Sequence, residues 1–180
     1  ARLSRLKGQD LLLRALTRMT TGAHCLLVGP DGGGGGFRTE LGVLIATLGL
    51  EDRVTLADTC TDMPAAYRMA AVAVVASTEP EGFGRVAVEA QAMGCPVVAV
   101  GLGALPELID DGITGWLVPT NNPDALAAAL DRALTLTDAE RETLTATAIA
   151  RVRSAFGVDS MTAATLAVYG EVLGRGGGTA

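Results

Sequence analysis

Among its 180 residues the chain has a single histidine, His24, so neither a multi-histidine metal site nor a histidine-dependent catalytic triad can be assembled from it. Standing at the start of an expected strand, His24 reads as structural. Cysteine is scarce and odd in number: Cys25, Cys60 and Cys95, with no Cys-x-x-Cys pair, a usage that points to a reducing compartment. Aromatic residues are 3% of the chain against 49% hydrophobic, so the core must be built from Ala, Val and Leu, whose small side chains let helices pack closely on a sheet. No apolar run is long enough to span a bilayer, and the amino end lacks the charged-then-apolar pattern of a signal peptide. The expectation is a soluble, cytoplasmic protein. Positive charge is also short, with 14 Lys plus Arg against 20 Asp plus Glu and a net charge of −6. That excludes a broad nucleic-acid-binding surface, and any phosphate binding has to be local.

Three familiar ligand motifs are absent as well. The glycine run Gly32 to Gly36 is followed by Phe37-Arg38-Thr39-Glu40 rather than Gly-Lys-Ser or Gly-Lys-Thr, which excludes a phosphate loop and leaves a mobile surface loop. Gly101-Leu102-Gly103-Ala104-Leu105-Pro106 opens like a dinucleotide fingerprint, but Pro106 replaces the third glycine and no acid stands about twenty residues on. Asp58 and Asp62 do not form the Asp-x-Asp that would chelate a metal for a diphosphate, and Asp110-Asp111 falls in a turn before Gly112. No metal and no cofactor are expected.

What is present is an alternation of strands and helices. Short apolar runs at Cys25 to Val28, Val54 to Leu56, Val72 to Ala76, Val97 to Val100 and Gly112 to Pro119 read as strands, and Ala1-Arg2-Leu3 reads as the end of another. Between them the helical period recurs: Leu12, Leu16 and Met19; Leu41, Leu44, Ile45 and Leu48; then a helix capped by Asp62 with Pro64 early in it. Pro123-Asp124 opens another helix, and Asp138 to Phe156 and Asp159 to Leu173 continue the helical pattern. The fold class expected is α/β, a doubly wound, parallel, six-stranded, Rossmann-like sheet with extra C-terminal helices. Ligands on such a sheet bind outside the strand carboxyl ends, where Arg2, Gly29, Ser77 and Gly101 fall.

One of those ends carries the richest stretch, Ser77-Thr78-Glu79-Pro80-Glu81-Gly82-Phe83-Gly84-Arg85-Val86-Ala87-Val88-Glu89-Ala90. It reads as strand, loop, helix. Gly82 and Gly84 let a ligand approach the backbone, and the free amides of the helix start favour phosphate oxygens. Glu81 and Glu89, eight positions apart, would repel a phosphate but can accept hydrogen bonds from hydroxyls on either side of it. A sugar, a diphosphate and a ribose in a row match that order. Arg85 and Glu89, four apart, can equally form an exposed helical ion pair.

The spacing Glu81-x7-Glu89 around Gly82-Phe83-Gly84, with Gly94-Cys95-Pro96-Val97-Val98-Ala99 and Pro106-Glu107-Leu108-Ile109 downstream, resembles the retaining glycosyltransferases of family 4, also called group 1, over nearly the whole chain. The resemblance implies the C-terminal, donor-binding half of a GT-B enzyme over residues 1–173, a flexible tail over 174–180, and an acceptor-binding N-terminal domain outside this chain. It implies that Glu81 holds donor-sugar hydroxyls, that Glu89 holds the ribose, and that Gly82, Phe83, Gly84, Arg85 and Val86 meet the diphosphate. Arg2 and Lys7-Gly8 match the family segment whose two cations neutralise the leaving diphosphate, although Ala1 stands where a glycine usually precedes the arginine. Gly103 lines the donor site in a loop that is usually Gly-Gly and is Gly103-Ala104 here. The base is placed near Cys60 and Met63. The final helix of the family crosses onto the other domain, which would leave apolar surface unpaired.

The activity so implied is metal-independent transfer of a hexose from a nucleoside-diphosphate sugar, its substrate and partner, to a glycan or lipid-linked acceptor. The full-length protein would be cytoplasmic, with peripheral association at the inner face of the membrane. The isolated chain is expected to bind donor without transferring it. Two rivals share the architecture. One is another enzyme, a sugar-nucleotide epimerase or a glycosidase using Glu81 and Glu89 as acid and nucleophile; the other is a nucleotide-binding module without chemistry.

Overall fold

A computed structural model describes residues 1–32 and 36–175. Helix α1 (Gln9–Leu16) leads to strand β1 (Cys25–Val28), followed by α2 (Phe37–Thr47), β2 (Val54–Ala57), α3 (Met63–Met69), β3 (Ala73–Val75), α4 (Arg85–Ala92), β4 (Val97–Val100), α5 (Leu105–Leu108), β5 (Trp116–Val118), α6 (Pro123–Leu134), α7 (Asp138–Ala155) and α8 (Val158–Arg175). Every strand pairing is parallel, and the helices between strands make the crossovers. The α/β, Rossmann-like class is therefore the one the alternation implied.

Strand β4 shows why. All four of its residues are buried, and they alternate between two cores. Val98 and Val100 pack with Leu12 and Leu13 of α1 and Leu126 and Leu130 of α6, while Val97 and Ala99 pack with Ala87 and Ala90 of α4 and Leu105 and Leu108 of α5. A strand covered on both faces has no polar alternation to show, which is why it appears in the sequence as an unbroken apolar run.

The expected six-stranded sheet needs correction. Among the described residues there are five strands in two sheets, β1-β2 and β3-β4-β5. Ala1-Arg2-Leu3 forms no ladder but a single parallel bridge, Leu3 with Asp31: Leu3 donates to Pro30 O and accepts from Gly32 N, each at 2.9 Å, and the amino group of Ala1 donates to Val28 O at 2.9 Å. The two sheets nonetheless share one core, in which Leu27 and Val54 join Val98, Trp116 and Val118, with Leu3 buried among them.

Helix ends follow local capping. Asp62 accepts from the Ala65 amide, as its position before Met63-Pro64 implied, and Asn122 does the same for Ala125. Thr137 and Glu140 form a reciprocal capping box at the start of α7. Helix α1 stops at Leu16, short of Met19, which packs on the core from the following turn. Helix α8 runs to Arg175, two residues into the stretch expected to be a tail; residues 176–180, like 33–35 of the glycine loop, lie outside the described residues. Met161, Leu166, Val168, Tyr169, Val172 and Leu173 of α8 are all exposed. None of the described helices is long and apolar enough to cross a membrane.

Candidate functional site

The site begins with a turn that brings distant residues together. After Leu3 the chain makes one 3-10 turn, Arg5–Lys7, closed by Gly8 at φ 63°. A Cβ at Gly8 would lie 1.9 Å from the Ala76 carbonyl oxygen, so only glycine lets this turn rest on the end of β3. The Thr78 amide donates to Leu6 O at 3.0 Å, and the Thr78 hydroxyl to Arg5 O at 3.2 Å. The result is that Lys7 reaches Glu81: Lys7 Nζ donates to Glu81 Oε1 at 2.5 Å, and Ser77 Oγ donates to the same oxygen at 2.5 Å. Burial pushes the Glu81 carboxyl up, but hydrogen bonds from Lys7 and Ser77 and the Lys7 charge outweigh it and hold it below the ordinary range. Glu81 Oε2 has no protein partner among the described residues.

The backbone of Glu81 is clamped as well. Glu81 and Gly103 form a parallel bridge, and the Ala104 amide donates to Glu81 O at 3.0 Å. Gly103 sits at φ 63°, where a Cβ would come within 2.5 Å of both the nitrogen and the oxygen of Glu81. Its place beside the donor motif, implied by resemblance, thus has a steric cause.

Gly84, at φ 82°, caps α4, and a Cβ there would meet Leu105 and Leu108 at 2.9 Å. The helix start leaves the amides of Arg85 and Val86 without intrahelical acceptors. At Gly82 an added Cβ would meet nothing within 4 Å, so the protein itself has no steric need for that glycine. Val86 packs against the second core and anchors the helix start, while Phe83 stays half-exposed with its ring edge-on to Phe156 at 6.0 Å. One turn further on, Glu89 accepts from Arg85 at 2.9 Å and from the Tyr67 hydroxyl at 3.2 Å. The helical ion pair is therefore present. Burial, then the charge of Glu89, raise the Tyr67 phenol well above its ordinary value, so it remains a donor.

Arg2, Lys7 and Glu81 line one cleft of about 130 Å³ together with Ser4, Leu6, Glu79 and Pro80. Gln9, buried, donates to Arg2 O at 2.9 Å and steadies that side. Cys60 and Met63 are not brought into the cleft: the Met63 side chain packs on the core beside Tyr67, and the Cys60 thiol is half-buried and free. A larger hollow of about 370 Å³ between α1 and α2 contains none of the expected site residues, and its Arg5 and Glu40 are paired with each other. Two participants were given no role from the sequence. Ser77 is a hydroxyl ending an apolar run, and Tyr67 is one of two tyrosines, on a helix facing α4. The signal from Ser77 was its place at a strand end where ligands bind, and that from Tyr67 a polar atom at a position due for burial.

The arrangement bears on the glycosidase alternative. A general acid needs a raised carboxyl value, whereas Glu81 is lowered, and each glutamate carries its own cation. Among the described residues no group of three or more His, Cys, Asp or Glu stands close enough to hold a metal ion.

The family model described as "Glycosyl transferases group 1" matches residues 1–151. The chain is 37% identical over 176 residues to the D-inositol 3-phosphate glycosyltransferase of Mycobacterium tuberculosis H37Rv, a match covering 97% of this chain and 36% of that protein. Its fold superimposes on Anabaena HepE in complex with UDP with a TM-score of 0.87 at 33% identity, covering 93% of this chain and 47% of that one. A glycosyltransferase from Rickettsia africae gives a TM-score of 0.91 at 31% identity over 96% of this chain and 46% of its own. The chain thus spans between about a third and a half of the length of these relatives.

Proposed function

The chain belongs to the group 1 glycosyl transferases, and from that premise we propose that it is the donor-binding, C-terminal half of an enzyme that transfers a hexose, with retention, from a nucleoside-diphosphate sugar. The observation that carries this reading is the Glu81 carboxylate, one oxygen held by Lys7 and Ser77 and the other open, in a cleft shared with Arg2. Glu81 Oε2 accepts a sugar hydroxyl. Lys7 and Arg2 take the charge that grows on the leaving diphosphate, which supports transfer without a metal. The Arg85 and Val86 amides meet the phosphates where the Gly82 backbone allows close approach. Glu89 takes the ribose, and the backbone around Cys60 and Met63 meets the base.

HepE was solved with UDP and with UDP-glucose, which supports a uridine nucleotide as donor here. The acceptor, a glycan or lipid-linked molecule, belongs to the N-terminal half, and the full protein works in the cytoplasm at the inner membrane face. Holding donor and acceptor together is worth about 7 to 11 kcal/mol, so this chain alone binds donor but does not transfer it.

Calorimetric titration of the chain with UDP and UDP-glucose in a chelating buffer tests the reading. Both should bind. Binding that disappears with the chelator refutes metal independence, and no binding of either ligand under any condition refutes the donor site.

A further inference from the structure

Glu81 is held on one oxygen by two donors of different character. Lys7 is a third exposed, at 30%, and Lys7 is the cation the leaving diphosphate requires. Ser77 is 1% exposed, at the end of β3, and its hydroxyl has one acceptor, Glu81 Oε1. A buried hydroxyl must find a partner, and an alanine would fill this position without that need. We propose that Ser77 is a positioning residue for the donor sugar: once Lys7 turns to the diphosphate, the Ser77 hydroxyl alone among the described side chains keeps Glu81 Oε1 in place and Oε2 aimed at the sugar.

The proposal rests on the donor reading above and makes a narrower claim. Ser77 touches neither sugar nor phosphate. Its effect passes through Glu81 and so should fall on the sugar, leaving the nucleotide nearly untouched. The backbone clamp by Gly103 and Ala104 fixes where the Glu81 chain runs, but not the rotation of its carboxylate. That rotation is what the hydroxyl restricts.

The test is Ser77→Ala in this chain, a substitution that removes one oxygen and adds no volume. UDP-glucose should bind about 10- to 20-fold more weakly, the low end of the range for a hydrogen bond to a charged group, while UDP changes by less than about 2-fold. Losing a donor to the ionised form must also raise the Glu81 carboxyl value. The Glu81 carboxyl followed by NMR across a pH series should titrate at higher pH in the variant, and the acidic limb of UDP-glucose binding should move the same way. Equal losses for UDP and UDP-glucose, or an unmoved Glu81 titration, overturn the proposal. If the wild-type chain binds neither ligand, the donor reading itself falls, and this one with it.

Discussion

Gly103 offers a direct test of how the Glu81 loop is held. In Gly103→Ala the new Cβ would stand 2.5 Å from the nitrogen and the oxygen of Glu81 and 3.0 Å from the Pro80 carbonyl carbon. All three are backbone atoms, so no flexible side chain can yield, and the strands of the loop must separate by about 1 Å to regain ordinary contact. The residue also sits at φ 63°, where an L side chain adds about 1 to 2 kcal/mol of strain. Loss of the Ala104 to Glu81 hydrogen bond adds about 0.5 to 1.5 kcal/mol. Together about 1.5 to 3.5 kcal/mol is expected, a fall in Tm of about 3 to 14 °C for a domain of this size. Displacing Glu81 should weaken UDP-glucose at least about 10-fold more than UDP. Gly82→Ala is the counterpart: with nothing within 4 Å of the added Cβ, stability should stay within about 0.5 kcal/mol while both ligands lose affinity. Scanning calorimetry and titration of the two variants measure both effects. An unchanged Tm and an unchanged UDP-glucose to UDP ratio in Gly103→Ala would refute the clamp.

Lys7→Met removes the partner of a carboxylate that is 16% exposed, and about 1 to 2 kcal/mol should be lost at neutral pH, or about 2 to 8 °C in Tm. Because the folded Glu81 value is lowered, the pair stabilises fully above the unfolded carboxyl value of about 4.3, and that contribution is lost as pH falls through the lower folded value. Thermal melts from pH 7 to pH 3 should therefore show the gap between wild type and Lys7→Met closing at the acid end; a gap that persists there contradicts the ion-pair account. Glu81→Gln should weaken UDP-glucose by about 1.5 to 3 kcal/mol and UDP far less, whereas Glu89→Gln should weaken both alike by a similar amount. Titrations in which the two variants behave identically toward both ligands would reverse the assignment.

Local chemistry was legible wherever its cause lay within a few residues. Asp62 and Pro64 announced the start of α3, Pro123 that of α6, and the unbroken Val97 to Val100 run a strand covered on both faces. The glycine-flanked loop before Arg85 marked a helix start, and Gly84 does cap it. In each case a dihedral preference, a capping side chain or a hydrophobic period is a property of neighbours along the chain, so no folding had to be known. Tertiary structure alone decided the rest. Lys7 and Glu81 are 74 positions apart, and they pair only because Gly8 fits under Ala76 and Thr78 ties the two segments together. Nothing near Ser77 or Tyr67 in sequence says which carboxylate each hydroxyl will meet, since the rotation of a buried side chain is set by what packs across from it. The strand count was decided the same way: Leu3 is apolar and buried as a strand residue would be, but ladders are made by successive pairs, and there only one pair forms.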